Sequence, residues 1–412
     1  MSEATLASCR PFTRTPRIFA MTAAIILASL GTALGATDDG SILSSLLGGH
    51  SKDAAVAGDA ACSACHQAKV HSFHETAHFR TSSLASADDI HGKFTPGASE
   101  LQTINPALKF TMEANDRGFF QTAHMKSSPT EELTRSERFD IVVGSGRKGQ
   151  TYLFWDNDQL FQLPISYWTD LDGWVNSPGY LDGTADFERP IVPRCLECHA
   201  TSHVNRPPPE NRYDPASLVL GVTCEKCHGP GSEHISRFQK SPRPTAPSDF
   251  AIINPARLSW SMQLDICALC HEGAGESLQP ALSFKPGEDL RDYIAFAKLP
   301  PHARVDVHAA QVQLLKMSRC FRSTTTLTCT TCHDVHLAQR DTAPFAAKCL
   351  ACHKVENCGE FAKRGHSIDA KCIDCHMPLQ ETGKIVSRVD GQTVRPKVRN
   401  HHIAVYPDST LP

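Results

Sequence analysis

Seven times this 412-residue chain sets a histidine directly behind two cysteines in the pattern Cys-x-x-Cys-His. The copies are Cys62/Cys65/His66, Cys195/Cys198/His199, Cys224/Cys227/His228, Cys267/Cys270/His271, Cys329/Cys332/His333, Cys349/Cys352/His353 and Cys372/Cys375/His376. They are called sites 1 to 7 in chain order. Two thiols at this spacing can each form a thioether to one edge of a porphyrin, and the next residue then offers an imidazole to the iron. The copies use 14 of the 17 cysteines, where random placement would give roughly 0.04 copies. Tetrahedral zinc also uses Cys-x-x-Cys pairs, but it does not need a histidine after every second cysteine. The pattern therefore predicts seven covalently attached haems c, each with its iron on the motif histidine. Three of them fall between Cys320 and His376, close enough in sequence to exchange electrons.

An iron held this way keeps one axial position. A second histidine there makes a low-spin electron-transfer centre, and an open position admits a substrate. Of 21 histidines, 14 remain after the motifs are served. The candidates for the second position are His78, His124, His234, His308, His336, His366 and His401, seven for seven sites. His336 in CHDVH and His234 in CHGPGSEH are the most suggestive locally. His401 and His402 are adjacent and point different ways, so one of them can serve. The bland alternative for each is a surface histidine or one bonded to a haem propionate. His50, His71, His74, His91, His203 and His302 read better that way.

The elements that must hold these groups are lean. Aromatic residues make up 7% of the chain, against 27 Pro and 25 Gly, so seven porphyrins would supply much of the apolar bulk and the polypeptide need only wrap them. The formal charge of −3 gives no sign of nucleic acid binding. Residues 1–36 read as an export signal, with Arg10, Arg14 and Arg17 before the apolar run Ile18 to Leu34 and small residues ahead of Ala36. An uncleaved membrane anchor is the rival reading. Residues 37–60 read as a linker, 61–130 as the region of site 1, 131–192 as a β-rich element without haem, and 193–412 as the region of sites 2 to 7.

Within the β-rich element FDIVVGSG, QTYLFW and QLFQLPISYW are branched and aromatic runs, with Asp156-Asn157-Asp158 as a turn. Trp155, Trp168 and Trp174 are expected to form its packing core. Gly144, Gly146 and Gly149 are followed by a strand rather than a helix, which argues against a phosphate cradle. Residues 240–257 are Pro-rich and read as an extended connector. Two thiols stand outside the motifs in the exported part, Cys320 and Cys358. They are expected to form a disulfide pinning the last three sites; two separate buried thiols are the alternative. Paired acids such as Asp88-Asp89 and Glu131-Glu132 read as solvated charges, and no other catalytic constellation stands out.

CEKCHGPGSEH, CTTCHDVH and CIDCHMP resemble elements of the multihaem cytochromes c of the cytochrome c-554 type, including the doubled CxxCH group. The resemblance covers roughly residues 60–80 and 190–402. It implies a mainly α fold with extensive irregular loops wrapped around stacked c-type haems, and only a small β-hairpin insert at about 139–180. It also implies that the motif histidines and the seven candidates are the axial ligands. That family includes an ammonia-forming nitrite reductase with a Cys-x-x-Cys-Lys site, and this chain has no such motif. The expected role is a periplasmic electron carrier working with redox partners: a quinol-oxidising complex, other cytochromes or a terminal reductase. The alternative is an oxidoreductase acting on a small nitrogen or sulfur compound at one haem with an open face.

Overall fold

The computed structural model describes residues 56–240, 242–297 and 305–406. The candidate export signal, most of the linker, His50, His302 and Cys9 lie outside them. No helix among the described residues is long and apolar enough to cross a membrane.

The first helix, α1 (Asp59–His74), carries site 1. After it the chain turns to strands and stays there for almost a hundred residues. They are β1 (Ser82–Leu84), β2 (Glu100–Gln102), β3 (Leu108–Asn115), β4 (Gly118–Ser128), β5 (Glu131–Arg138), β6 (Ile141–Val143), β7 (Gly149–Asp156), β8 (Gln159–Gln162), β9 (Ile165–Trp168) and β10 (Gly173–Asn176). One antiparallel sheet runs β1-β6-β7-β9-β10 with β8 also on β7, and a second runs β2-β3-β4-β5. The cause is alternation with period two. On β3, Leu108, Phe110 and Met112 are buried while their neighbours are not. These side chains meet Val142, Tyr152, Phe154, Ile165, Tyr167 and Trp174 of the other sheet, with Phe139 from the link between β5 and β6, in one apolar cluster, so the two sheets pack face to face.

The expectation of a mainly α fold with a small hairpin insert at 139–180 is overturned. The described residues hold eighteen strands against eleven α-helices, and most of those helices are short. The sandwich also begins well before Phe139: His124, expected from the sequence to be a second axial ligand, lies within β4 (GFFQTAHMKSS). As expected, Trp174 is in the core, with its indole Nε1–H donating to Lys93 O at 3.0 Å.

The remaining sites lie on or at the end of short helices: α2 (Pro193–His199), α3 (Cys224–His228), α5 (Trp260–His271), α8 (Cys329–Cys332), α9 (Ala343–Leu350) and α11 (Cys372–His376). Between them come α4 (Ser232–Gln239), α6 (Gln311–Met317), α7 (Arg319–Arg322) and α10 (Phe361–Arg364). A second cluster joins the sandwich to site 2, where Ile141, Leu153 and Leu160 pack with Ile191, Leu196 and Tyr213.

Candidate haem sites

Each attachment motif forms at least one helical turn, which puts Cys i, Cys i+3 and His i+4 on one side of the backbone. The second histidines arrive from elsewhere in the chain. His234 on α4 faces His66 of site 1 with ring centroids 6.4 Å apart and planes at 19°. His336 faces His228 of site 3 at 6.2 Å and 21°. His401 faces His333 of site 5 at 6.3 Å and 27°. His78, in the turn after α1, faces His271 of site 4 at 6.2 Å, with its plane crossed at 77°. A metal–imidazole bond is about 2.0–2.1 Å and the ring centroid lies about 1.1 Å beyond the nitrogen, so two imidazoles sharing one metal have centroids about 6.2–6.4 Å apart. All four pairs fit one iron between them.

The outer nitrogens agree with this. A metal-binding histidine normally gives its other ring N–H to a carbonyl, which fixes the tautomer and leaves Nε2 for the metal. His228 Nδ1 donates to Ile253 O at 2.8 Å, His376 Nδ1 to Ala404 O at 2.8 Å, His234 Nδ1 to Phe250 O at 2.7 Å and His401 Nδ1 to Arg399 O at 3.1 Å. His271 Nδ1 pairs with Gln311 Oε1 at 3.1 Å, and His199 Nδ1 with Thr81 Oγ1 at 2.9 Å beside the edge of the sandwich. Burial and the neighbouring His271 and His333 hold His78 down to about 4. Burial, reinforced by His333 and His271, does the same to His401. At neutral pH both rings are therefore unprotonated, the form that can donate a lone pair to iron.

The cysteines of the motifs are less uniform than the sequence suggests. Eleven of the fourteen are half-buried, but Cys65 of site 1, Cys195 of site 2 and Cys352 of site 6 are exposed. Cys65 and Cys352 lie in exposed runs of the chain. The reason is how their helices pack. Helix α1 buries only Val70 and Phe73 near its C-terminal end, so residues 64–69 stay exposed. Cys352 comes after the last turn of α9, within the exposed run 351–354.

Other candidates lie differently. His308 neighbours His199 of site 2, and together with burial it disfavours charge on that ring. Its loop is held by Asp306, which accepts from Thr382 Oγ1 at 2.7 Å, His308 N at 2.9 Å and the Gly383 amide. His366 is exposed, with Nδ1 3.2 Å from Asp369 and its ring against Phe361. His124 uses both nitrogens inside its sheet, Nε2 3.0 Å from Thr111 Oγ1 and Nδ1 3.3 Å from Glu132. His353 and His376 face no second imidazole in this way among the described residues. Of the histidines read as bystanders, His74 is turned onto Asp59 at 3.1 Å and stacks on Phe79, and His203 packs on Tyr213. The ring of His402 turns to Tyr406. Cys320 and Cys358 are both free, half-buried thiols, so the expected disulfide between them is not formed. Each neighbours different motif thiols, Cys320 those of Cys332 and Cys349, Cys358 those of Cys372 and Cys375.

Several positioning groups had no clear signal in the sequence. Buried Glu225, inside motif 3, accepts from Ala57 N at 2.8 Å, Gly58 N at 2.9 Å and Gly231 N at 2.7 Å, tying site 1 to site 3. Fully buried Ser318 accepts from Ile403 N at 2.8 Å and donates to His401 O at 3.3 Å, which sets the tail that delivers His401. The Pro-rich connector read as a spacer is the source of two carbonyls, Phe250 O and Ile253 O, that fix ligand tautomers. Arg399 of the basic tail pairs with Asp374 of site 7 at 3.1 Å.

Comparison with known proteins agrees in kind. The model of the family "cytochrome c554 and c-prime" matches residues 179–229, which span sites 2 and 3. Among solved structures the chain is similar to the outer cell wall cytochrome OcwA, at a TM-score of 0.50 and 16% identity, covering 84% of this chain and 79% of that one. It also matches an undecahaem cytochrome from the S-layer of Carboxydothermus ferrireducens, at a TM-score of 0.41 and 15% identity, covering 89% of this chain and 54% of that one. Among curated proteins none matches the chain.

Proposed function

We propose that this chain, a multihaem c-type cytochrome, is an exported electron carrier whose seven motifs each hold one haem c and whose haems are mostly ligated by two histidines. The observation that carries the reading is the set of four imidazole pairs at 6.2–6.4 Å, each joining a motif histidine to one remote in sequence. In such a site the haem supplies the redox chemistry; the chain sets ligation, orientation and spacing. His66 with His234, His228 with His336, His271 with His78 and His333 with His401 would hold the irons of sites 1, 3, 4 and 5. His199 with His308 would hold that of site 2.

Export is supported by the basic and apolar leader and by the chemistry of haem attachment, which belongs outside the cytoplasm. Partners would be redox proteins or a terminal acceptor at the cell surface, in keeping with the cell-wall setting named for OcwA. A second reading, an oxidoreductase acting on a small nitrogen or sulfur compound at one haem with an open face, has one observation in its favour, which would place that face at site 6 or site 7. His353 and His376 lack a facing imidazole among the described residues, and His366 is turned to solvent.

Mass spectrometry of the mature protein should give seven attached haems. The reduced protein is then treated with carbon monoxide and the oxidised protein with cyanide or nitrite. No spectral change supports a pure conduit. A change in one or two haems moves the catalytic reading ahead, and a change in five or more would defeat the bis-histidine reading.

A further inference from the structure

Two short segments each reach two attachment sites. The first, residues 78–82, follows α1 and enters β1. Its leading residue, His78, faces His271 of site 4. Three residues on, Thr81 Oγ1 accepts from Nδ1 of His199 in site 2 at 2.9 Å, and Ser82 Oγ donates to His199 O. The segment is itself held from two sides, by Gly144 N on Thr81 O at 2.7 Å and by Val222 N on His78 O at 3.0 Å. The second segment, residues 307–311, leads into α6. Gln311 Nε2 donates to Val307 O at 3.3 Å, which turns its Oε1 to His271 Nδ1 at 3.1 Å. An amide oxygen only accepts, so His271 carries its proton on Nδ1 and keeps Nε2 for the metal. Between Val307 and Gln311 lies His308, which would be the second ligand of site 2. The two attachment helices also touch directly, with Arg194 Nη2 of α2 donating to Leu269 O of α5 at 3.2 Å.

We propose that sites 2 and 4 are a reciprocally built pair: each segment supplies a ligand to one iron and, through Thr81 or Gln311, sets the reduction potential of the other. Both side chains act through a motif histidine and are positioning residues. An acceptor on the outer ring nitrogen makes the imidazole a stronger donor, which favours ferric iron and lowers the potential. Losing the acceptor raises the potential, and a charged acceptor lowers it further. At sites 3 and 7 the acceptor is a main-chain carbonyl, Ile253 O or Ala404 O, which no substitution removes. At sites 2 and 4 it is a side chain and can be varied. The inference rests on the reading of the motifs as haem sites and adds the residues that tune two of them.

The full haem-loaded protein, with the haem number checked by mass, is titrated from oxidised to reduced. The titration is followed optically and by the anisotropic low-spin resonance that the crossed rings of His78 and His271 would give site 4. Gln311→Leu should raise the midpoint of that resonance, shifting the ferric–ferrous equilibrium about tenfold, or about 59 mV for one electron. Gln311→Glu should lower it, and it answers the question if Gln311→Leu loads poorly. Thr81→Val, which keeps the shape and drops the hydroxyl, should raise one other haem by a similar amount and leave the resonance in place. Thr81→Ser should restore the native midpoint. All four variants should keep the native low-spin spectrum and gain no affinity for carbon monoxide. Unmoved midpoints in Thr81→Val and in both Gln311 variants would overturn the proposal. So would a new carbon monoxide-binding haem in Thr81→Val, because Thr81 would then only hold His78 in place. Fewer than seven attached haems, or no such resonance, in the unaltered chain would instead defeat the haem reading on which it rests.

Discussion

At the scale of single residues, the four imidazole pairs differ in one respect that a spectrometer can read. Three have rings within 27° of parallel, whereas His78 and His271 are crossed at 77°. Parallel imidazoles split the iron orbitals that accept π donation; crossed ones leave them nearly degenerate, which gives a strongly anisotropic low-spin resonance. The oxidised protein should show such a signal, and His78→Ala should remove it. The same variant should give one haem per chain a new affinity for carbon monoxide, because the site 4 iron loses one of its two nitrogens. His402→Ala is the matched control, since its ring turns to Tyr406 while the adjacent His401 faces site 5. Persistence of the anisotropic signal in His78→Ala would sink the assignment of that residue to site 4.

At the scale of elements, the sandwich has a filled apolar core of its own, and one of its tightest contacts is at Gly92. A Cβ there would overlap Cη2 and Cζ2 of the Trp174 indole. That indole is packed by Phe94, Phe139, Tyr152 and Tyr167 and has no room to withdraw. Gly92→Ala should therefore cost about 1–3 kcal/mol, the usual penalty for overpacking a filled core, read as an earlier tryptophan fluorescence transition in urea. The haem spectrum should be unchanged before that transition; a shifted Soret band in the native protein would mean that the sandwich and the haem sites are not separable in this way. The same sandwich marks what was legible beforehand. Branched and aromatic runs after Phe139 announced β-strands, but the alternation Leu108, Phe110, Met112 was equally present, a little before the tripeptide Thr-Ala-His that carries the candidate His124. That tripeptide occurs twice: at 76–78 it follows a helix and presents His78, and at 122–124 it runs through β4 with a side chain bonded to Thr111. Local sequence cannot separate the two, because the difference lies in which partner strands are available. Attachment motifs were legible because covalent chemistry dictates their spacing, whereas His234 and His336, close behind motifs 3 and 5, face the histidines of sites 1 and 3 and not those of their own motifs. Spacing says nothing of exposure, which is why Cys65 and Cys352 read like the other motif cysteines until the packing of α1 and α9 is seen. The carbonyls of Phe250, Ile253, Arg399 and Ala404 were not legible either, since any residue has a carbonyl and only the fold decides which one is near.

At the scale of the whole molecule, apolar burial is unevenly shared. The sandwich and its junction with site 2 contain the two largest clusters, with residues such as Phe110, Tyr152, Leu160 and Tyr213 fully enclosed. After Phe321 the buried hydrophobic residues are only Ala346, Ile368 and Ile373 among those described, although three attachment sites lie there. Helices of four to eight residues are far too short to persist on propensity alone, and three small side chains cannot offset the conformational entropy of ordering some eighty residues. Porphyrins anchored at Cys329, Cys349 and Cys372 would supply the missing apolar surface, so attachment and folding must be one event in this segment. Full-length chain produced without haem attachment should then be half folded. Amide hydrogen exchange should show slow exchange in β3, β4, β7 and β9, as in the haem-loaded protein, and should lose protection by at least about a hundredfold across residues 320–400, since each factor of ten in protection corresponds to about 1.4 kcal/mol of opening free energy. Equal protection of both halves without haem would mean that the last three sites fold on side-chain packing alone. Loss of protection in both would mean that the sandwich depends on its junction with site 2, where Ile191 and Leu196 bind the two parts of the core together.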